Sequence, residues 1–199
     1  MIASSSDKHF LHSSVVLRHA NGDSGEAEHL IETILTEAAV AKRRVWVSSV
    51  LFAELRPSTF VPGRFATLFE LTRYIRALAT LVTPDPNAML RVARLRDAKW
   101  QMPGDGPEAK PRSMSLGDAM QIASALWVKE AIGVPDLEFL TFDDWCSTDP
   151  GRGDRLCLLH LQDYAVDAGG HADVKAPMRL TRLEPVIHAE ARPHSVPAG

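Results

Sequence analysis

The sequence predicts an α/β protein, a three-layer α/β/α sandwich around a central parallel sheet. Three observations lead there. The short runs HFLHSSVVL, VWVSSV and LEFLTF are apolar and β-branched with little alternation, as suits parallel strands buried on both faces. Longer segments between them carry apolar residues at three- and four-residue spacing, the mark of amphipathic helices. Strand and helix alternate along the chain, which builds a parallel sheet covered on both sides.

Taken in order, residues 9–17 predict a first strand running into a turn. NGDSG at 21–25 breaks the chain and offers Ser24 as a helix N-cap. Ala27, Leu30, Ile31, Ile34, Leu35 and Ala38 then predict a helix over 25–42. A second strand at 45–50 leads into a short helix bearing Glu54, which Pro57 stops. Phe65, Leu68, Phe69, Ile75 and Leu78 predict a helix over 64–80, followed by a strand at 81–83. A helix over 87–99 comes after Pro84 and Pro86, and the Pro/Gly-rich residues 101–113 predict a mobile surface loop. Ser115 caps a helix over 116–131 whose buried stripe is Ala119, Ile122, Ala123 and Leu126. Two more strands are expected at 137–142 and 156–161. The domain thus spans 1–164, and 165–199, with Gly169-Gly170 and weak periodicity, is expected to be an extended or disordered extension.

Bulk properties narrow the function classes. The 199 residues, 45% of them hydrophobic, can bury a proper core. A formal net charge of −3 gives no general basic field, so any nucleic-acid contact depends on a local Arg/Lys patch. Cys146 and Cys157 form neither a ligand pattern nor a disulfide framework. No signal-peptide pattern opens the chain, and no apolar run approaches the roughly 20 residues of a spanning helix, so a cytoplasmic protein without membrane contact is expected.

Three carboxylates stand out by position. Glu54 in VSSVLFAEL, Asp118 in SLGDAMQIASAL and Asp143 in FLTFDD fall where a parallel sheet collects residues, outside the carboxyl ends of its strands. Carboxylates packed together repel, and a cation is the usual remedy, so the pattern predicts a divalent-metal site. The fourth position where an acid is sought, in FLHSSVVL, holds His12. Each residue alone has a plainer reading: Asp118 as a solvated or capping residue, Glu54 as a surface partner of Arg56, Asp143-Asp144 as a turn, and His12 as a core or rim histidine. The joint pattern carries the site.

Those four segments, in their order and with gaps of 64 residues from Glu54 to Asp118 and 25 from Asp118 to Asp143, resemble the PIN domain family. Its members include the VapC-type toxins of bacterial toxin–antitoxin pairs. The resemblance covers about residues 9–161 and implies a metal-dependent endoribonuclease, often dimeric, with a protein antitoxin as partner and RNA as substrate. It implies that Glu54, Asp118 and Asp143 are catalytic and hold Mg²⁺ or Mn²⁺, with Asp144 adding a water-mediated contact. His12 stands in the place of the family's first aspartate, and Ser14 matches the small hydroxyl residue beside it. An imidazole there removes a negative charge and suits Mn²⁺ or Zn²⁺ better than Mg²⁺, so attenuated cleavage is expected. Arg18, Arg56 and Arg64, with Lys110 and Arg112 in the loop, are the candidates for phosphate contacts. A non-catalytic PIN-like module that binds RNA or protein is the alternative. A haloacid-dehalogenase-like phosphatase needs two aspartates just after its first strand, and Leu11-His12-Ser13-Ser14 has neither.

Overall fold

The computed structural model describes residues 6–22, 25–57, 60–102, 111–143, 156–167 and 171–185. Its centre is a five-stranded, wholly parallel sheet, as the sequence predicts. The strands are β1 (Lys8–Leu11), β2 (Arg44–Ser48), β3 (Thr80–Val82), β5 (Glu138–Leu140) and β7 (Thr181–Leu183), in the order β3-β2-β1-β5-β7. A separate antiparallel ribbon pairs β4 (Lys99–Gln101) with β6 (Ala165–Asp167).

Successive side chains of each strand enter opposite cores. Phe10, Trp46 and Phe139 face one core with Val92, Leu95, Ile122 and Leu126 of α5 (Pro86–Asp97) and α6 (Leu116–Glu130). Leu11, Val45, Val47 and Leu140 face the other, with Val15, Ile31, Ile34, Leu71 and Ile75. That second layer is built by α1 (Ser13–Asn21), α2 (Glu28–Ala39) and α4 (Leu68–Leu78). The chain moves outward from β1 to β3 under one helical layer and returns to β5 under the other. A single crossover hand requires that change of face when the direction reverses. The reversal leaves a crevice between the carboxyl ends of β1 and β5, the place where open α/β sheets hold ligands.

Several boundaries differ from the sequence reading. The first strand stops at Leu11; residues 13–21 are helical, with Val15, Val16, His19 and Ala20 as the buried face and Gly22 closing the helix at φ 72°. The helix expected over 25–42 is a 3-10 turn, Gly25–Ala27, followed by Glu28–Ala39, and the expected cap Ser24 lies outside the described residues. The helix expected over 64–80 begins at Leu68, where Thr67 accepts the Glu70 amide at 3.2 Å. Residues 156–161 are not a strand: Leu156, Cys157, Leu158 and Leu161 pack into the core without joining the sheet. Parts of the segment expected to be an extended tail carry regular structure: residues 165–167 form β6, and 172–183 form α7 (Ala172–Lys175), a 3-10 turn and β7, with Val174, Ala176 and Leu180 buried in the core. The edge of the sheet therefore comes from the segment that the sequence pattern left outside the domain.

Candidate functional site

The site forms where β1, β2 and β5 end and α6 begins. β1 delivers His12, which is 5% exposed and caps α1, its Nδ1 accepting the Ser14 amide at 3.4 Å. The ring Nδ1 also lies 2.9 Å from Ser14 Oγ and 3.2 Å from Thr141 Oγ1. Accepting the Ser14 amide requires a bare Nδ1, which leaves a neutral ring's proton on Nε2; a ligand at Nε2 instead needs that proton on Nδ1, where either hydroxyl can accept it. Nε2, on the far side of the ring, is 3.4 Å from Asp118 Oδ1, yet among the described residues it has no hydrogen-bond partner. A buried ring nitrogen in that state invites a ligand.

Asp118 stands in the first turn of α6. Ser115 caps the helix as expected, accepting the Asp118 amide at 3.1 Å and donating its hydroxyl to Asp118 Oδ2 at 2.6 Å. Asp118 Oδ1 lies on the side toward His12. The hydroxyls of Ser48, at the end of β2, and Ser124 meet at 3.0 Å and dock α6 over that strand.

Glu54 ends α3 (Leu51–Glu54), the single turn that follows β2. Its Oε2 accepts from Gln121 Nε2 at 2.7 Å, and Gln121 in turn holds Ser13, the residue after His12. Gln121 was not anticipated. The signal available was a fully buried polar side chain one turn after Asp118, in the stripe facing the sheet, where an amide must find partners.

Asp143 joins this cluster through Thr141, whose Oγ1 accepts the Asp143 amide at 3.0 Å. Its Oδ2 accepts from Leu158 N at 3.4 Å, and its carbonyl accepts from Leu159 N at 3.0 Å, so the residue also pins the segment after β5. Asp144 and Lys110 lie outside the described residues. Ser14 holds β1 to β5, accepting the Phe142 amide at 3.0 Å. Arg18 is exposed, with its guanidinium 4.4 Å from the centre of the Phe142 ring, beside the crevice. Arg56 is exposed just after α3.

Two candidates for phosphate contacts already have protein partners. Arg112 is buried: its backbone pairs with Trp100 at 2.8 and 3.1 Å, and its guanidinium lies 5.6 Å over the Tyr164 ring. Arg64 is bound to both Glu28 and Glu32 on α2. Burial engages Arg112 within the fold, whereas Arg64 stays exposed with its charge shared by two carboxylates.

Among the described residues, no three His, Cys, Asp or Glu side chains gather closely enough to enclose a metal ion. Two donors do. Adjacent ligands of an octahedral ion with bonds of about 2.1 Å stand about 3 Å apart, and Mg²⁺-type sites often take only one or two protein ligands, with water and substrate filling the rest. His12 Nε2 and Asp118 Oδ1, 3.4 Å apart with the nitrogen unpartnered, fit that arrangement. The nitrogen favours Mn²⁺ or Zn²⁺ over Mg²⁺.

These features define an α/β crevice lined by carboxylates and an imidazole. Comparison with known proteins takes the class no further: no family model, no curated protein and no solved structure matches the chain. No described helix is long and apolar enough to cross a membrane.

Proposed function

We propose that this protein is a PIN-like, metal-dependent endoribonuclease whose activity is attenuated by His12. The observation that carries the reading is the buried, unpartnered Nε2 of His12 beside Asp118 Oδ1, at the point of the sheet where Glu54 also arrives. Asp118 and His12 would hold Mn²⁺ or Mg²⁺. Such an ion, when bound, neutralises phosphate charge and activates water for in-line attack. Glu54 is fixed by Gln121 to orient that water and take its proton, and Arg18 offers a cation to the RNA backbone at the rim. Asp143, tied to His12 through Thr141, adds negative charge to the same strand ends. An RNA-cleaving chain of this kind has to be held in check in its cell. We therefore place it as the toxin of a toxin–antitoxin pair, acting in the cytoplasm as a homodimer.

The test is cleavage of single-stranded RNA in Mn²⁺, in Mg²⁺ and in chelator, by this chain and by His12→Asp. Expected are Mn²⁺-dependent cleavage by the native sequence and a gain in Mg²⁺ for the variant. Equal, robust Mg²⁺ activity in both refutes the attenuation.

A second reading has its own observation. The absence of a three-donor group among the described residues, with Glu54 already bonded to Gln121, favours a non-catalytic module that holds RNA or protein. RNA binding by Arg18 without cleavage in any metal, for native and His12→Asp chains alike, would decide for it.

A further inference from the structure

We propose that Gly117 and Gln121 are positioning residues: they form a cradle on α6 that fixes the Glu54 carboxylate beside Asp118. The inference rests on reading the crevice as an RNA-cleaving site.

Glu54 needs a cradle because its own element supplies none. It is the last residue of a one-turn helix that closes at Leu55, and its side chain is long and only partly buried. Gln121 supplies the first wall. It is 0% exposed, and its amide is used to the full. Oε1 accepts from Ser13 N at 3.0 Å, while Nε2 donates to Ser13 Oγ at 2.8 Å and to Glu54 Oε2 at 2.7 Å. Its orientation follows from chemistry, since the Ser13 amide can only donate and must meet the oxygen. The NH₂ group therefore faces Glu54, and Glu54 Oε2 is held as its acceptor.

Gly117 supplies the second wall by having no side chain. A Cβ there would overlap Glu54 Oε1 and come within 3.2 Å of Glu54 Cδ. Nothing in the backbone asks for glycine: residue 117 lies inside α6, and its φ is not among the positive values. Glycine within a helix costs stability relative to alanine, so its presence here needs another reason. The space is taken by a carboxylate from a different element. The obstructing atom is the far end of a flexible side chain, so an added methyl would be accommodated by moving Glu54 and not by moving the helix. The cradle thus serves the carboxylate's placement at some cost to the helix.

The experiment compares the native chain with Gly117→Ala, Gln121→Met and Glu54→Ala. It reads thermal midpoint, Mn²⁺-dependent RNA cleavage and the side-chain amide signal of Gln121 by ¹⁵N–¹H NMR. For Gly117→Ala the expected result is an unchanged or raised midpoint, a displaced Gln121 amide signal, and kcat lower by at least about tenfold with KM for RNA within about twofold. Gln121→Met should lose kcat likewise; if it fails to fold, Gly117→Ala carries the test. Native kcat together with a native Gln121 signal in Gly117→Ala overturns the proposal. If the native chain cleaves nothing, the nuclease reading fails, and the cradle is judged on the NMR signal. A Gln121 signal that moves in both Glu54→Ala and Gly117→Ala supports the cradle, and one that moves in neither overturns it.

Discussion

Replacing His12 by aspartate should make the fold depend on a divalent cation. The side chain at position 12 caps α1 by accepting the Ser14 amide, and aspartate caps a helix well, so the local structure survives the change. What changes is the charge facing Asp118. Aspartate is shorter than histidine and places its carboxylate near the Nδ1 position, about 2 Å farther from Asp118, so at roughly 5–6 Å the two carboxylates repel by about 3 kcal/mol at an effective dielectric constant of about 20. The Asp118 side chain is 26% exposed, and screening brings the net cost to about 1–2 kcal/mol. For a chain of 199 residues that lowers the melting midpoint by about 2–8 °C in chelator. Saturating Mg²⁺ or Mn²⁺ at about a hundredfold its dissociation constant returns about 2.7 kcal/mol, so the loss should reverse. Scanning calorimetry at neutral pH, with and without metal, measures both. Below about pH 5 the deficit should shrink, because one carboxyl of the pair takes a proton instead. Equal midpoints for the variant in chelator and in metal would refute the claim that positions 12 and 118 face a shared cation site.

Other outcomes follow from the same geometry. Burial, and then the Arg43 guanidinium, lower the His9 imidazole from 6.5 to about 4. The unfolded chain takes that proton first, so stability should fall by about 3 kcal/mol as pH drops from about 6.5 to 4, a loss that His9→Gln should flatten in urea titrations. Arg18→Ala should weaken RNA binding across sequences and reduce the salt slope by about one, whereas Arg112→Ala should lower the melting midpoint with RNA affinity unchanged. A chain ended at 164 should not fold: it loses β7 and the buried Val174, Ala176 and Leu180, and a folded, cooperatively melting product would show that the sheet edge is dispensable.

The parallel sheet was legible because its three inner strands are apolar runs bounded by turn residues, and the helix of Ala119, Ile122, Ala123 and Leu126 because its period is clean. The end of β1 was not. Val15 and Val16 extend the β-branched run, and propensity favoured a strand; the helical spacing of Val15, Val16, His19 and Ala20 was the better signal. β6 and β7 are three residues each, too short to show any period, and their pairing depends on partners 64 and 43 residues away in sequence, such as Gln101 with Ala165 and Thr181 with Glu138. The long apolar stretch at 156–161 imitated a strand because a buried irregular segment and a buried strand have the same composition. Residue type and position singled out His12, Glu54 and Asp118, which the fold brings to the ends of β1 and α3 and the start of α6. The roles of Gln121 and Gly117 depend on which side chain another element brings against them, and no spacing in one sequence reports that. Arg112 misled for the converse reason, since loop composition suggested exposure while its backbone pairs with Trp100.

Mn²⁺ titration followed by electron paramagnetic resonance reaches the central claim most directly, because it needs neither a known RNA target nor turnover. One bound ion per chain is expected, with affinity falling by about tenfold or more in His12→Ala and in Asp118→Asn, and by less in Glu54→Gln. No bound Mn²⁺, or binding that none of these substitutions alters, would contradict a cation shared between His12 and Asp118.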